Sequence, residues 1–223
     1  MPDHVKNAGL LRGFSQRYGR LSSIQYSAQM HVGGWNLFLL TAFIVYVSIR
    51  GIFDRQTKNG EKVITRVDTL ERGLLTTVGV ASILLPLLYL FTPWLAFADY
   101  RRREIVHWCG APILVGALWL FWRSHSDLGQ NWSISLELRK GHELVTRGVY
   151  AAVRHPMYAA ILLWDVGQGL LIENWLAGWS ALVAFVVMCV LRIPREEQMM
   201  SASFGDAYHV YMRKTGRLFP RLR

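Results

Sequence analysis

A dense group of polar and aromatic side chains stands directly in front of a long apolar run. Tyr150, Arg154, His155 and Tyr158 fall within nine residues. Pro156, inside this group, marks the expected start of a helix, because proline is tolerated at the first helical position. A cationic, aromatic, hydrogen-bonding cluster at the water boundary of a membrane helix indicates a binding site. The alternative is that Arg and Tyr only anchor the helix at the membrane interface.

A second polar group follows the last apolar run. Arg192 and Glu196 are four residues apart and therefore share one face of a helix, with Glu197 adjacent. In the functional interpretation, Arg192 holds an anionic group and Glu196 takes a cation or a ribose hydroxyl, which makes both candidate catalytic residues. The alternative is a solvated Arg–Glu ion pair, which contributes little to stability. Pro194 predicts a kink where the helix leaves the membrane.

An isolated carboxylate lies inside the fourth apolar run. Asp165 is seven residues beyond Tyr158, hence on the same helix face. A carboxylate within a membrane helix is expensive unless it faces the bundle or a wet cavity. Asp165 therefore either lines a pocket, as a substrate-binding candidate, or has a hydrogen-bonded packing role.

The composition indicates a membrane protein. The chain has 223 residues, 52% of them hydrophobic, with a formal net charge of +10 and a mean hydropathy of +0.21. A basic soluble protein would suggest a nucleic-acid partner. The apolar runs instead favour anionic lipid headgroups as the partners of this positive charge, and no nucleic acid is expected.

The apolar runs predict an all-α integral membrane bundle of about five transmembrane helices with a helical cytoplasmic C-terminal tail. Each run approaches the roughly 20 residues that cross a bilayer. We divide the chain into a polar segment, either amphipathic or loosely ordered (1–31), N-terminal transmembrane helices (32–122) and a catalytic half (123–223). The expected spans are 32–49, 73–98, 105–122, 157–172 and 175–193, the last two forming a hairpin.

The distribution of basic residues predicts the orientation of these spans. Most Lys and Arg residues fall in 50–72, in 123–155 and in the C-terminal tail, which five spans place on one side. The positive-inside rule then favours a cytoplasmic C-terminus and cofactor site, although Arg101, Arg102 and Arg103 lie on the opposite side.

Several chemistries are not indicated by the sequence. The histidines lack ligand spacing such as His-Glu-x-x-His, so no metal site is expected. The absence of alternating strands and helices excludes a Rossmann nucleotide fold. Any nucleotide-like cofactor would have to bind in an all-helical membrane frame.

The order of these motifs resembles the isoprenylcysteine carboxyl methyltransferase family, integral membrane enzymes that use S-adenosylmethionine. The resemblance covers about residues 128–222. It rests on Leu-Val-Thr-Arg-Gly-Val-Tyr at 144–150, Arg-His-Pro-Met-Tyr at 154–158, Arg192, Glu196-Glu197, Phe204-Gly205, Tyr208 and Tyr211.

The resemblance implies the residues of the site. The residues that would line the S-adenosylmethionine site are His142, Glu143, Leu144, Val145, Tyr150, His155, Pro156, Met157, Tyr158 and Glu196. Arg192 is similar to the arginine assigned to the methyl acceptor, and Arg154 and Asp165 are further substrate-binding candidates. Two departures concern the acceptor: Ser135 stands where eukaryotic members have glutamine, and the acidic run is only Glu196-Glu197.

The expected function is S-adenosylmethionine-dependent carboxyl O-methylation of a prenylated cysteine or a similar lipophilic carboxylate. A carboxylate is ionised at neutral pH, with a typical pKa near 4, so it needs orientation and no general base. The first alternative is N-methylation of a phospholipid amine, for which Glu196 or Asp165 becomes the base candidate. The second is a non-catalytic membrane protein that keeps the family frame.

Overall fold

The computed structural model describes residues 33–57, 62–65, 69–129, 137–139 and 144–221. Most of these residues are helical. The α-helices are α1 (Gly34–Thr57), α2 (Thr69–Gly79), α3 (Leu85–Phe91), α4 (Glu104–Leu128), α5 (Pro156–Leu171), α6 (Trp175–Phe204) and α7 (Asp206–Lys214). A π-helical turn (Val80–Leu84) joins α2 to α3, and 3-10 turns occupy Ala96–Ala98 and Gly148–Ala151. Two short antiparallel strands, β1 (Lys62–Thr65) and β2 (Glu137–Arg139), pair with each other.

The all-helical membrane class is confirmed, whereas the count of full spans differs from the predicted five. In the described residues, four helices are long and apolar enough to cross a membrane: Gly34–Arg55, Thr69–Phe91, Glu104–Leu128 and Trp175–Phe204. Helix α5 has 16 residues and is about 24 Å long at a rise of about 1.5 Å per residue. It is therefore shorter than the hydrocarbon core, which is about 30 Å thick.

The helix ends differ from the ends of the apolar runs. Helix α1 continues to Thr57, α4 continues to Leu128, and α6 continues through Pro194 to Phe204. Backbone hydrogen bonding does not stop where the side chains become polar, so hydropathy locates a run better than the end of its helix. The second span instead ends early, at Phe91, just before Pro93, and its π-helical turn lies directly before Pro86.

Small residues let α5 pack closely against α4. A Cβ added at Gly110 would lie 2.9 Å from Leu170 Cβ, and one added at Gly167 would lie 3.0 Å from Leu114 Cδ1. Close approach through small residues is the usual way in which membrane helices associate. Helix α5 is consequently buried along much of its length and holds its N-terminal end, with Tyr158, at a fixed place in the bundle.

The turn between α5 and α6 is held by hydrogen bonds at the end of the bundle away from Tyr158. Asn174 caps α6 by accepting from the Leu176 and Ala177 amides, and its side-chain amide donates to Asp99 Oδ1 at 2.7 Å. Arg102 donates to the Gly169 carbonyl at 3.1 Å. One arginine of the 101–103 group thus stabilises this turn.

The C-terminal segment folds back onto the start of α5. Gly205, with φ of 53°, separates α6 from α7 in a conformation that favours glycine. Tyr208 and Tyr211 of α7 are buried. The predicted segment 1–31 lies outside the described residues.

Candidate functional site

Arg154 connects the start of α5 to α6 and to the C-terminal segment. Its Nε donates to Glu197 Oε1 at 3.0 Å, and its Nη1 donates to the Met212 and Thr215 carbonyls. The side chain is 9% exposed. The Arg154 guanidinium, which was predicted to bind substrate, is thus hydrogen-bonded within the protein. These contacts favour a role in holding the C-terminal segment in place.

Glu197 is the centre of this cluster. Besides Arg154, it accepts from Arg217 Nη2 at 2.6 Å, and His155 Nε2 lies 3.4 Å from its Oε1. Hydrogen bonds to the Glu197 carboxylate raise the pKa of Arg217 above its ordinary value. The buried glutamate is therefore surrounded by basic side chains, and His155, expected at the cofactor site, faces it.

Backbone hydrogen bonds strengthen the same connection. The Arg154 amide donates to the Gly216 carbonyl at 2.9 Å, and the His155 amide donates to the Arg217 carbonyl at 3.0 Å. The Tyr211 hydroxyl donates to the Tyr150 carbonyl at 2.7 Å, and burial raises the pKa of Tyr211 to about 12. Tyr211 thus remains a protonated donor throughout the physiological pH range.

We expect Arg154→Ala to destabilise the protein by roughly 2–4 kcal/mol, because it removes charged hydrogen bonds from the buried Glu197 and from two carbonyls. Thermal unfolding in detergent, together with limited proteolysis after Lys214, measures the effect. The matched control is Arg213→Ala, since Arg213 is exposed on α7. An Arg154→Ala variant with unchanged unfolding and proteolysis would contradict the connecting role.

A second cluster of side chains lies on α5 and α6. Its Glu196 is adjacent in sequence to Glu197 of the first cluster. The Tyr158 hydroxyl donates to Glu196 Oε2 at 2.7 Å. The Arg192 guanidinium carbon lies 6.0 Å from the centre of the Tyr158 ring. Three residues expected at the cofactor and acceptor sites are thus brought together, and Glu196 is half-buried.

Arg192 also contacts a residue that lies outside the predicted site. Its Nη1 lies 3.2 Å from Oε1 of Glu71, in the first turn of α2, and both side chains are buried. Glu71 starts an apolar stripe with Leu74, Leu75 and Val78, which pack against a buried cluster of α6. The i, i+3, i+4, i+7 spacing of this stripe is the sequence signal that could have placed Glu71 on a packed helix face.

Asp165 is fully buried in the middle of α5, and neither carboxylate oxygen has a hydrogen-bond partner among the described residues. The described residues therefore supply no hydrogen bond for the predicted packing role, and both interpretations of Asp165 stay predictions. A buried carboxylate without such partners is unusual enough to require an explanation.

The remaining predicted residues differ in burial. Tyr150 and Pro156 are buried, whereas Leu144, Val145 and Met157 are half-buried. His142 and Glu143 lie outside the described residues. In the part of the chain that the structure describes, no group of three or more His, Cys, Asp or Glu side chains could hold a metal ion.

Comparison with known proteins finds the family that the sequence motifs resemble. Residues 109–202 match the model of the isoprenylcysteine carboxyl methyltransferase (ICMT) family. This part of the chain is therefore similar to that family. Arg154, Tyr158, Arg192, Glu196 and Glu197 all lie within the ICMT match.

Two curated relatives are similar to a part of this chain. The protein-S-isoprenylcysteine O-methyltransferase of Schizosaccharomyces pombe is 34% identical over 88 residues, covering 39% of this chain and 37% of the relative. The nickel-cobalt-cadmium resistance protein NccN of Alcaligenes xylosoxydans xylosoxydans is 32% identical over 117 residues, covering 52% and 53%. The chain thus spans about half or less of the length of these relatives.

A solved structure, the eukaryotic intramembrane Ras methyltransferase ICMT, is similar in fold. It superposes with a TM-score of 0.51 at 22% sequence identity, covering 87% of this chain and 67% of that chain. At this identity the comparison establishes a shared fold. Because 87% of this chain is covered, the similarity in fold extends beyond the part that matches the family model.

Proposed function

We propose that this protein is an S-adenosylmethionine-dependent membrane methyltransferase that methylates the carboxylate of a prenylated cysteine or a similar lipophilic molecule. The observation that carries the proposal is the cluster of Arg192, Tyr158 and Glu196, which lies within the ICMT match. It combines an anion-binding guanidinium with a carboxylate and an aromatic ring.

The chemistry of the cluster fits the cofactor. Glu196 supplies a negative charge that suits a sulfonium or a ribose hydroxyl, and the Tyr158 hydroxyl holds this carboxylate at 2.7 Å. His142, Glu143, Leu144, Val145, Tyr150, His155, Pro156 and Met157 remain proposed members of the same site. When bound, S-adenosylmethionine supplies an electrophilic methyl group, and no metal is required for its transfer.

The residues of the chain would then act mainly by orientation. Arg192 can bind the acceptor carboxylate through paired N–H donors. This contact directs one carboxylate oxygen toward the methyl donor, and alignment of this kind lowers the barrier of a displacement reaction. The carboxylate is already ionised, so no residue has to remove a proton from it.

The surroundings of the cluster suit a lipophilic acceptor. Helix α6 exposes Val183, Val186, Val187 and Val190 on the surface that would face lipid. We propose that the acceptor enters laterally from the bilayer and that the cofactor enters from the cytoplasm, where the C-terminus would lie.

The experiment is transfer of a labelled methyl group from S-adenosylmethionine to a short farnesylated cysteine, with purified protein in detergent. Release of the label by base supports a methyl ester. Cofactor binding without base-labile product would contradict carboxyl methylation, and absence of binding in both detergent and lipid would support a non-catalytic protein.

A second candidate function is N-methylation of a lipid amine, and Asp165 is the observation that favours it. Its buried oxygens lack hydrogen-bond partners among the described residues, which suits a group that receives a proton or an ammonium. Base-stable label on an amine lipid, lost in Asp165→Asn, would support this function over the first.

A further inference from the structure

Glu71 belongs to a part of the chain that the family match does not include. It lies in the first turn of α2, whereas the match begins at residue 109. Its side chain is 0% exposed and its Oε1 lies 3.2 Å from Arg192 Nη1. The N-terminal helices thus place a charged group against the proposed acceptor-binding residue.

The contact extends across three helices. Glu71 on α2 meets Arg192 on α6, the Arg192 guanidinium carbon lies 6.0 Å from the Tyr158 ring centre on α5, and the Tyr158 hydroxyl donates to Glu196 on α6. A long arginine side chain has many rotamers, and fixing it in one of them has an entropic cost. A buried carboxylate at 3.2 Å restricts where the guanidinium can point.

We propose that Glu71 is a positioning residue that orients the Arg192 guanidinium toward the acceptor carboxylate. A guanidinium has five N–H donors in a planar fork, so one edge can face Glu71 while another edge binds the acceptor. The negative charge of Glu71 also weakens the attraction of Arg192 for any anion. This inference rests on the proposed function of the Arg192 cluster and adds a role for a residue outside it.

The kinetic constants of a Glu71 variant distinguish an effect on the orientation of Arg192 from an effect on acceptor affinity. In Glu71→Gln, the size is kept but the charge is lost, so Arg192 attracts an anion more strongly and is held less firmly. We expect kcat for the farnesylated cysteine to fall by about tenfold or more, because small misplacements lower rates steeply. KM for this acceptor should stay constant or fall, and S-adenosylmethionine affinity should not change.

Three variants make the test specific. Glu71→Asp, which keeps the charge, should recover part of kcat. Glu104→Gln is the matched control, because Glu104 is also in the first turn of a span helix but is exposed. In an Arg192→Lys background, Glu71→Gln should have little further effect, since Glu71 acts through the arginine fork.

The outcomes distinguish this inference from the proposed function. An inactive wild type contradicts the function, whereas an active wild type with unchanged kcat in Glu71→Gln overturns the positioning role. A joint loss of kcat, cofactor affinity and thermal stability would also overturn it, since it indicates a purely structural contact. If the wild type is inactive, phenylglyoxal modification of Arg192 still tests the contact: faster modification in Glu71→Gln supports it, and an equal rate overturns it.

Discussion

Arg192→Lys is expected to reduce methyl transfer to a farnesylated cysteine by about 10²-fold, the loss that a small misplacement of a reacting group can cause. Lysine keeps the positive charge opposite Glu71 but lacks the planar fork that binds a carboxylate through two parallel hydrogen bonds. Because Glu196 and Tyr158 are untouched, S-adenosylmethionine binding should be largely retained. Transfer kinetics and a cofactor-binding titration on the same preparation measure both quantities.

Lysine is a better first replacement than alanine at this position. Arg192→Ala should also remove transfer, but it takes away the charge that lies 3.2 Å from the buried Glu71. Breaking a buried pair in this way typically costs about 3–5 kcal/mol, so lost activity could reflect unfolding. Arg103→Lys is the matched control, since Arg103 is exposed next to α4. A wild-type rate in Arg192→Lys would exclude Arg192 as the acceptor-binding residue.

The sequence predicted the helical membrane class because a bilayer requires long apolar runs, and such runs are visible in composition. It did not predict which runs face lipid. Residues 157–172 are apolar enough for a span, but Gly167 and its neighbours place α5 against α4, and α5 is too short to cross the core. Hydropathy measures the polarity of side chains, and it does not distinguish contact with lipid from contact with protein.

The site was also predicted only in part. Sequence spacing relates residues on one helix, but it does not show which residues of different elements meet in the folded protein. The spacing of Arg192 and Glu196 places them on one helix face, whereas Tyr158 was grouped with them only by the resemblance to the family. The partner of Arg154 could not be found in this way, because the C-terminal segment meets α5 only in the folded protein. Glu71 was assigned to a hydrophilic loop, since its apolar neighbours lie only on its C-terminal side.

Glu196 and Glu197 are adjacent in sequence but contact different residues, so each needs its own test. Glu197 faces Arg154, His155 and Arg217, whereas Glu196 accepts from Tyr158 on another side of the helix. Loss of Glu197 should therefore act through the stability of the C-terminal segment. Loss of Glu196 should act on the cofactor.

Glu196→Ala is expected to abolish measurable S-adenosylmethionine binding without a matching loss of thermal stability. The physical reason is the loss of the half-buried carboxylate that would face the sulfonium or the ribose. Glu196→Gln keeps the size and can still accept from Tyr158. It should weaken binding by about 10- to 100-fold, the equivalent of about 1.5–3 kcal/mol for a hydrogen bond to a charged group.

Two comparisons make the Glu196 result decisive, both measured by titration of S-adenosylmethionine into purified protein. Tyr158→Phe removes the hydroxyl that holds Glu196 but leaves the carboxylate, so its effect should be smaller than that of Glu196→Gln. Glu197→Gln should lower the unfolding temperature more than it lowers affinity. Wild-type affinity in Glu196→Ala would remove Glu196 from the cofactor site. A loss of affinity confined to Glu197→Gln would instead place the cofactor beside Arg154 and Arg217.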